Sequence, residues 1–161
     1  KKSMFVENPA EDFEYKENMY DTVFTSPPYF SVERYSYDDT QSWVRYKDID
    51  DWNKDFLQKT LKKLWPSIKS GGYLLVNISD VNASSGGDKK WLEICNPMND
   101  FISTFSDSEY QGCIGMEMAK RPNSIGAGTA KITEESNRKQ EYIPPAKEGL
   151  FCEPIWIWKK V

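Results

Sequence analysis

The chain of 161 residues contains no histidine, and this absence excludes several kinds of site. A serine or cysteine nucleophile activated by a histidine base is ruled out. The three cysteines, Cys95, Cys113 and Cys152, form no C-x-x-C pair, so no zinc site is expected. Ordinary thiols in a reducing cytoplasm are predicted instead. Any chemistry must therefore rely on positioning, carboxylates, hydroxyls, backbone groups or a cofactor.

Excess positive charge is lacking too. The net charge is −4 and the isoelectric point is about 5.0, which is not typical of a free-standing nucleic-acid binder. Aromatic residues make up 14% of the chain, more than a core of this size needs, and surplus tyrosine and tryptophan often serve in stacking or recognition. These two properties point in opposite directions, so composition alone leaves a nucleic-acid partner undecided.

Long apolar runs and a secretory leader are absent as well. The mean hydropathy is −0.71, so a soluble protein that is not secreted is predicted. The sequence begins with Lys1 rather than methionine, so we expect a processing boundary there. The length suits one domain spanning 1–161 with its own core, and no internal repeat or linker divides it.

The first half of the sequence predicts two strands joined by a crossover. Met4–Val6 predicts a short strand, and the β-branched and aromatic run Tyr20–Phe24 predicts a buried strand that Pro27-Pro28 ends. Residues 31–47 show no sustained period, which favours a loop or short helix on the active face. Tyr73–Ile78 predicts a second buried strand. A crossover of this length favours parallel pairing of the two buried strands.

An amphipathic helix is predicted within that crossover. The acidic residues Asp48, Asp50 and Asp51 favour a helix start. Pro66 should tighten the last turn, and Gly71-Gly72 should end the helix. The helix is indicated by apolar residues at three- and four-residue steps: Trp52, Phe56, Leu57, Leu61, Leu64, Trp65 and Ile68.

The second half of the sequence predicts fewer regular elements. Asn82–Lys90 is rich in serine and glycine and predicts a flexible loop. Asn96–Phe105 predicts a modest helix, whereas Gly112–Met118 and Phe151–Trp158 predict strands. Residues 123–146 are polar, locally basic and without a clear period. Together the predicted elements indicate an α/β protein.

Ser26-Pro27-Pro28-Tyr29 is the segment that carries the most chemistry. The prolines fix φ and remove two backbone donors, so carbonyls and side chains there turn outward. At the carboxyl end of a strand in an open α/β sheet, where ligands bind, such a loop offers hydrogen-bond acceptors beside an aromatic face. That combination suits an exocyclic amino group. A Pro-Pro turn with a partly buried tyrosine, or a ligand for a WW-type domain, would have the same local sequence.

Several blocks together resemble the DNA N4-cytosine and N6-adenine methyltransferases. Tyr20–Phe30 is similar to their catalytic motif, and 66–81 resembles their helix end, glycine pair and following strand. Lys120-Arg121-Pro122 and Glu153–Trp158 resemble their later strand motifs. The order of the blocks matches over most of the chain. The resemblance implies a Rossmann-like sheet that uses S-adenosylmethionine to methylate DNA in a bacterial or phage-encoded, cytoplasmic enzyme.

The resemblance also implies residue roles. Ser26 and the Pro27-Pro28 backbone would hold the target amino group, and Tyr29, with Phe30, would stack on a base flipped out of the duplex. The methyl transfer is direct and in line, so catalysis rests on orientation and electrostatics and needs no histidine. A serine before Pro-Pro-Tyr is commoner in the cytosine enzymes. Cytosine N4 is therefore the favoured target, and adenine N6 is the alternative.

The sequence departs from the family at the cofactor. No glycine-rich Phe-x-Gly-x-Gly block follows a strand, and 126–129 only superficially fits. The fold is therefore expected to be incomplete at its N-terminal, cofactor-binding side, with this chain as the catalytic half. We expect weak or no cofactor binding, and an exposed sheet edge that pairs with a second copy or with the missing half of the parent chain. By resemblance, the cofactor-binding residues present would be Asn8, Ala10, Glu11, Asp12 and Thr25.

DNA contacts would fall to loops. The predicted contacts after the catalytic loop are Arg34, Tyr35, Tyr37, Arg45 and Lys47, and those of the late basic loop are Lys120, Arg121, Lys131, Arg138, Lys139 and Lys147. Solvated loop charges explain the charged residues equally well. Two rival functions stay open: an RNA or protein-amide methyltransferase of the same architecture, and a non-catalytic piece that binds DNA or a partner subunit.

Overall fold

The computed structural model describes residues 3–85, 88–118 and 151–161. Within these ranges the chain alternates between strands and short helical segments. The strands are β1 (Tyr20–Thr25), β2 (Ile68–Asn77), β3 (Val81–Ser85), β4 (Asp88–Leu92), β5 (Ser108–Met118) and β6 (Phe151–Lys160). The helical segments are α1 (Ser42–Arg45), α2 (Ile49–Asp51), a π-helical segment (Trp52–Gln58), α3 (Lys59–Leu64), a 3-10 turn (Trp65–Ser67) and α4 (Cys95–Ile102).

Four strands form one mixed sheet in the order β1-β2-β6-β5. β1 and β2 are parallel, with Val23 opposite Leu74 and Thr25 opposite Val76. β6 runs antiparallel to both of its neighbours, β2 and β5. The predicted parallel pairing across the helical crossover is confirmed, and so is the α/β class. The strands predicted near the end of the chain are confirmed as well, although β5 begins four residues earlier, at Ser108.

The predicted amphipathic helix is present and fills the crossover between β1 and β2. It begins where the Asp48 side chain accepts a hydrogen bond from the Asp50 backbone N–H (2.8 Å), and it continues to Leu64. Pro66 lies in the 3-10 turn that tightens its end, as expected. The π-helical stretch in its middle was not predicted. It widens the turn where Trp52 and Leu57 are almost fully buried.

The glycine pair lies inside β2, so the prediction that it ends the helix is wrong. β2 already begins at Ile68, and its pairing with β1 shifts register between Tyr20 and Thr22. Gly71 has a φ of +80°, in the left-handed region that favours glycine. At Gly72 a Cβ would come within 2.7 Å of the Asp21 carbonyl oxygen. The two glycines therefore form a strand irregularity where the backbones approach closely.

Two further predictions fail at the edges of the fold. Met4–Val6 pairs with no strand and is exposed, with Phe5 fully accessible, because apolar character alone supplies no backbone partner. The predicted loop over Asn82–Lys90 is a two-stranded hairpin, in which β3 pairs antiparallel with β4. Val81 lies opposite Leu92 there. Hairpin pairing uses backbone hydrogen bonds, so a polar sequence does not prevent it.

The core lies against one face of the four-stranded sheet. Leu74, Val76, Trp156 and Trp158 project from that face and pack with the crossover helix and with α4. The predicted helix near Pro97 is thus confirmed as α4. Among the described residues, the opposite face is partly open, because Phe24 (57% exposed), Tyr73 and Ile114 remain accessible there. No helix of the described ranges is long and apolar enough to span a bilayer.

Candidate active site

The carboxyl ends of β1 and β2 meet at one edge of the sheet, where the Ser-Pro-Pro-Tyr segment begins. The Ser26 hydroxyl donates a long hydrogen bond to the Asn77 side-chain oxygen (3.4 Å). The Asn77 amide donates to the Pro154 carbonyl oxygen of β6 (3.0 Å). Asn77 is buried, with 4% of its surface exposed, so these contacts fix its orientation. Ser26 is thereby tied to β2 directly and to β6 through Asn77.

The exit of β2 is also held in place. The Asp80 carboxylate accepts hydrogen bonds from the backbone N–H groups of Ile94 (2.8 Å) and Cys95 (2.9 Å), where α4 begins. The Trp156 indole N–H donates to the Ile78 carbonyl oxygen (3.0 Å). A carboxylate at a helix N-terminus satisfies backbone donors that have no partner within the helix. The polar residues beyond β2 are therefore anchored by α4 and β6.

The Pro-Pro-Tyr turn is closed by short-range hydrogen bonds. The Phe30 N–H donates to the Pro28 carbonyl (2.9 Å), and the Val32 N–H donates to the Tyr29 carbonyl (2.9 Å). The Tyr29 N–H donates to the Glu33 carboxylate (3.1 Å). Phe30 has a φ of +42°, which is uncommon for a residue other than glycine.

The two aromatic rings of the turn have different surroundings. Phe30 is 6% exposed and packs edge-on against Trp52, with the ring centres 6.0 Å apart. Tyr29 is half-buried and packs at the border of the core. Burial raises the pKa of the Tyr29 phenol, the Glu153 carboxylate adds to the rise and the Ser79 hydroxyl opposes it. Phe30 thus belongs to the core, so the predicted stacking role is carried forward for Tyr29 alone.

The segment predicted to bind the cofactor is tied to the loop that follows the Pro-Pro-Tyr turn. Glu11 is buried, and its carboxylate binds the Arg45 guanidinium (2.5 Å) and accepts a hydrogen bond from the Tyr46 hydroxyl (3.2 Å). Asp12 binds Lys59 (2.9 Å) and Arg45 (2.9 Å), and hydrogen bonds from these two cations lower the pKa of its carboxyl.

The remaining residues predicted to bind cofactor have fewer contacts. The Ala10 carbonyl accepts a hydrogen bond from the Tyr15 hydroxyl (3.3 Å). Asn8 is exposed, and Thr25 ends β1 next to Ser26. Glu11 and Asp12 are already neutralised within the fold, which leaves Asn8 as the polar side chain of this set that is most open to a ligand.

The predicted DNA-contact residues are only partly described. Arg34 lies on the loop after the Pro-Pro-Tyr turn, where its Nε donates to the Ser31 carbonyl (2.9 Å) and its guanidinium lies 5.0 Å from the centre of the Trp43 ring. Lys120, Arg121 and the other predicted contacts of the late basic loop lie outside the described residues. In the part of the chain that is described, no cluster of carboxylates and cysteines is placed to bind a metal ion.

Several residues important to this site were missed by sequence reasoning. Asn77 is the last residue of β2 and Asp80 lies three residues after it, and their position at a strand exit was the available signal. Glu33 had no comparable signal. Arg45 was expected to contact DNA, but it binds the carboxylates of Glu11 and Asp12, and Glu11 is 34 residues away in sequence. Contacts of this separation depend on the tertiary fold.

No protein-family model matches the sequence, and no curated protein matches it significantly. Solved structures do match. Three structures of TTHA0409 from Thermus thermophilus, described as a "Putative DNA Modification Methylase", have 15–16% sequence identity to the chain and TM-scores of 0.54, 0.55 and 0.57. The one with a TM-score of 0.57 contains S-adenosyl-L-methionine.

The alignments cover 95% of this chain and 50–53% of the bacterial protein, so the chain spans about half the length of these neighbours. At this identity the likeness establishes the fold alone. The chain shares the α/β fold of these structures over about half of their length, and the predicted Rossmann-like fold class is confirmed.

Proposed function

We propose that this chain is the acceptor-binding part of an S-adenosylmethionine-dependent methyltransferase that modifies an exocyclic amino group of a DNA base. The observation that carries the proposal is the position of Ser26-Pro27-Pro28-Tyr29 at the carboxyl end of β1, beside the polar exit of β2. Ligands of open α/β sheets bind at this edge. The shared fold of a protein described as a DNA modification methylase supports the proposal.

The chemistry assigned to this chain is the orientation of the amino group. The Ser26 oxygen and the Pro27 carbonyl accept its two N–H bonds, which directs the nitrogen lone pair away from them. When bound, S-adenosylmethionine supplies an electrophilic methyl group to that lone pair. Transfer of that methyl would leave the cofactor as its neutral thioether, and the proton released by the amino group would pass to solvent, which reaches the exposed Ser26. Preorganised acceptors are effective in this role because they need no reorganisation during the reaction.

Ser26 is suited to this role by its existing contact. Its hydrogen bond to Asn77 is long (3.4 Å), so it can be exchanged for a shorter bond to a substrate at little cost. Tyr29 supplies the stacking face for a base taken out of the duplex, and Glu33 holds its backbone. Cytosine N4 is the favoured target because serine stands before Pro-Pro-Tyr, and adenine N6 is the alternative.

The residues predicted to bind S-adenosylmethionine would form only part of a cofactor site. The glycine-rich block typical of such sites is missing from the sequence, and the Glu11 and Asp12 carboxylates bind Arg45 and Lys59. We therefore expect the described residues to border S-adenosylmethionine rather than to enclose it. The 161-residue chain alone should bind it weakly or not at all. A calorimetric titration of the chain that gives micromolar affinity would contradict this expectation.

The proposed reaction is tested by transfer of a tritiated methyl group in the complete polypeptide that carries these residues. Ser26→Ala should lower kcat by about a hundredfold or more, the cost of removing one preorganised group. Ser70→Ala is the matched control, because Ser70 is an exposed serine of β2 away from the site. Tyr29→Phe should retain more activity than Tyr29→Ala, because only the second variant loses the ring.

The substrate class is settled in the same assay. DNA, RNA and protein are offered separately, and labelled DNA is digested to nucleosides for mass spectrometry. We expect N4-methylcytosine or, as the alternative, N6-methyladenine. A label found only in RNA or protein, or a Ser26→Ala variant as active as the wild type, would overturn the assignment.

A further inference from the structure

The loop after the Pro-Pro-Tyr turn forms a compact surface of aromatic rings and cations, which we call the aromatic–cation cluster. Its centre is the Trp43 ring, with the Arg34 guanidinium 5.0 Å and the Lys47 ammonium 5.1 Å from the ring centre. Tyr37 packs edge-on against the same ring, 5.3 Å between centres. The cluster consists of Arg34, Tyr37, Trp43 and Lys47.

The Trp43 ring is itself held in a fixed position. Its indole N–H donates to the Ser36 carbonyl oxygen (3.0 Å), and the Lys47 ammonium donates to the Trp43 carbonyl oxygen (3.3 Å). A cation over an aromatic face is attracted to it without being neutralised. The ring therefore restrains two long side chains while their positive charge is kept.

The cations of the cluster differ from Arg45, which lies on the same loop. Arg45 binds the carboxylates of Glu11 and Asp12 and so serves the fold. In the described ranges, neither Arg34 nor Lys47 forms an ion pair with a carboxylate, and the hydrogen bonds that they donate go to backbone carbonyls. Their charge remains available to an anionic ligand.

The aromatic side chains beside these cations are unusually open to solvent. Tyr37 is 84% exposed, and the Trp43 ring against which it packs is only partly buried. Large rings gathered on one surface indicate an interaction site more strongly than single exposed rings do. Rings together with cations suit a nucleic acid, in which phosphates and base or sugar faces alternate.

The cluster is connected to the candidate active site through the intervening turn. Glu33 accepts a hydrogen bond from the Tyr29 N–H, and the next residue is Arg34. Arg34 in turn donates to the Ser31 carbonyl. The cluster and Tyr29 therefore belong to one hydrogen-bonded segment of the chain.

We propose that the aromatic–cation cluster binds the DNA backbone beside the target nucleotide. The proposal rests on the proposed function and adds to it the surface that positions the strand from which the base is taken. The acidic residues Asp38 and Asp39 on the same loop limit the cluster to few phosphates. Arg34 and Lys47 should together contact about two, each adding about 0.9 to the salt dependence of binding.

The test is the affinity of a fluorescein-labelled DNA duplex for the full chain, measured by fluorescence anisotropy over a range of salt concentrations. Arg34→Ala/Lys47→Ala should weaken binding about tenfold and lower the slope of log affinity against log salt by about two. The control Lys16→Ala/Lys62→Ala removes the same charge from exposed lysines that lie outside the cluster. It should change the affinity less than about twofold.

A further variant separates position from charge. Trp43→Leu keeps both cations but removes the ring that restrains them, so it should weaken binding about threefold while the salt slope is kept, in the range of one cation–π contact. Circular dichroism and urea unfolding check that each variant is folded. The proposal is overturned if Arg34→Ala/Lys47→Ala binds like the wild type, if the control loses as much affinity, or if the wild-type chain binds no DNA. It is also overturned if RNA of the same sequence binds more tightly and depends more on the cluster.

The same proteins distinguish this inference from the proposed function. If Ser26→Ala abolishes methyl transfer while Arg34→Ala/Lys47→Ala binds DNA normally, only the cluster assignment fails. If Arg34→Ala/Lys47→Ala loses DNA binding while Ser26→Ala methylates normally, the cluster assignment holds and the reaction assigned to Ser26 fails.

Discussion

The two regions expected to form one ligand site are built in opposite ways. At the carboxyl edge of β1 and β2, the hydrogen bond that the Ser26 hydroxyl makes within the described ranges is long, and its neighbour Asn77 is fixed by β6. In the segment that includes Glu11 and Asp12, the carboxylates are closed off by short contacts with Arg45 and Lys59. The first region keeps a polar group ready for exchange, whereas the second uses its charges to hold the fold.

The comparison of Ser26 with Glu11 and Asp12 shows that residue type alone does not identify a group that binds a ligand. A buried carboxylate with a close cation is a structural element, because separating the pair leaves an uncompensated charge. A half-satisfied hydroxyl on a rigid turn loses little when a ligand replaces its partner. The acceptor side of the proposed reaction is therefore the better defined side in this chain.

The largest effect on stability should come from removing the cation that pairs with Glu11 and Asp12, the two carboxylates that we call the acidic region. Arg45→Met removes the cation from buried Glu11, and we expect a loss of about 3 kcal/mol in the free energy of unfolding, as for a partly buried pair. Urea denaturation at neutral pH measures it. Adding Glu11→Gln should recover part of the loss, because the amide carries no charge. A loss below about 1 kcal/mol would mean that the region is not held by this pair.

A smaller loss of stability is expected at the carboxyl edge of β1 and β2, which we call the acceptor edge. There the Asp80 carboxylate accepts hydrogen bonds from backbone N–H groups at the start of α4. Asp80→Ala leaves the backbone N–H groups of Ile94 and Cys95 without this acceptor, at a cost of about 2 kcal/mol. Asp48→Ala is the matched control, because its cap on α2 is exposed to water, which can replace the lost bond. It should cost about 0.5–1 kcal/mol. Equal losses of stability in the two variants would show that burial of the Asp80 carboxylate does not make its hydrogen bonds more important than those of exposed Asp48.

A further effect, confined to alkaline pH, is expected at Tyr46, whose hydroxyl donates to the Glu11 carboxylate. Burial and then the Glu11 carboxylate raise the pKa of Tyr46 to about 12, whereas an unfolded tyrosine titrates near pH 10. The folded protein holds this proton more tightly. The stabilisation is therefore fully present below pH 10 and is lost as the pH rises from about 10 to about 12.

Tyr46→Phe provides the comparison, because phenylalanine has no proton to lose. The difference in unfolding free energy between wild type and variant should be constant up to pH 10 and should then fall. Lysine residues titrate equally in both proteins and cancel. A difference that stays constant up to pH 12 would show that the Tyr46 proton is not linked to folding.

Much of the fold follows from local sequence patterns. Alternating or continuous apolar runs identify β1, the main part of β2 and β6, and helical periodicity identifies the crossover helix. Their order makes the β1–β2 pair parallel. Pro27-Pro28 also located the candidate site, because a proline pair must end the strand that precedes it.

The rest depends on partners that are distant in sequence. By sequence alone, Gly71-Gly72 has the pattern of a helix terminator. In the fold it lies in β2, where the backbone of β1 approaches too closely for a side chain at Gly72. The hairpin of β3 and β4 depends on backbone pairing, which the polar sequence of this segment does not predict. From the sequence, Tyr29 and Phe30 are equally good candidates for stacking on a base. The packing of Phe30 against Trp52 in the fold is what excludes Phe30 from that role.

The central claim is that Ser26 and the turn behind it hold the amino group that receives the methyl. Its most direct test is the kcat of methyl transfer to DNA by the Ser26→Ala variant of the complete polypeptide, relative to wild type and to Ser70→Ala. We expect a loss of about a hundredfold or more for Ser26→Ala and none for the control. Equal kcat values for all three proteins would contradict it.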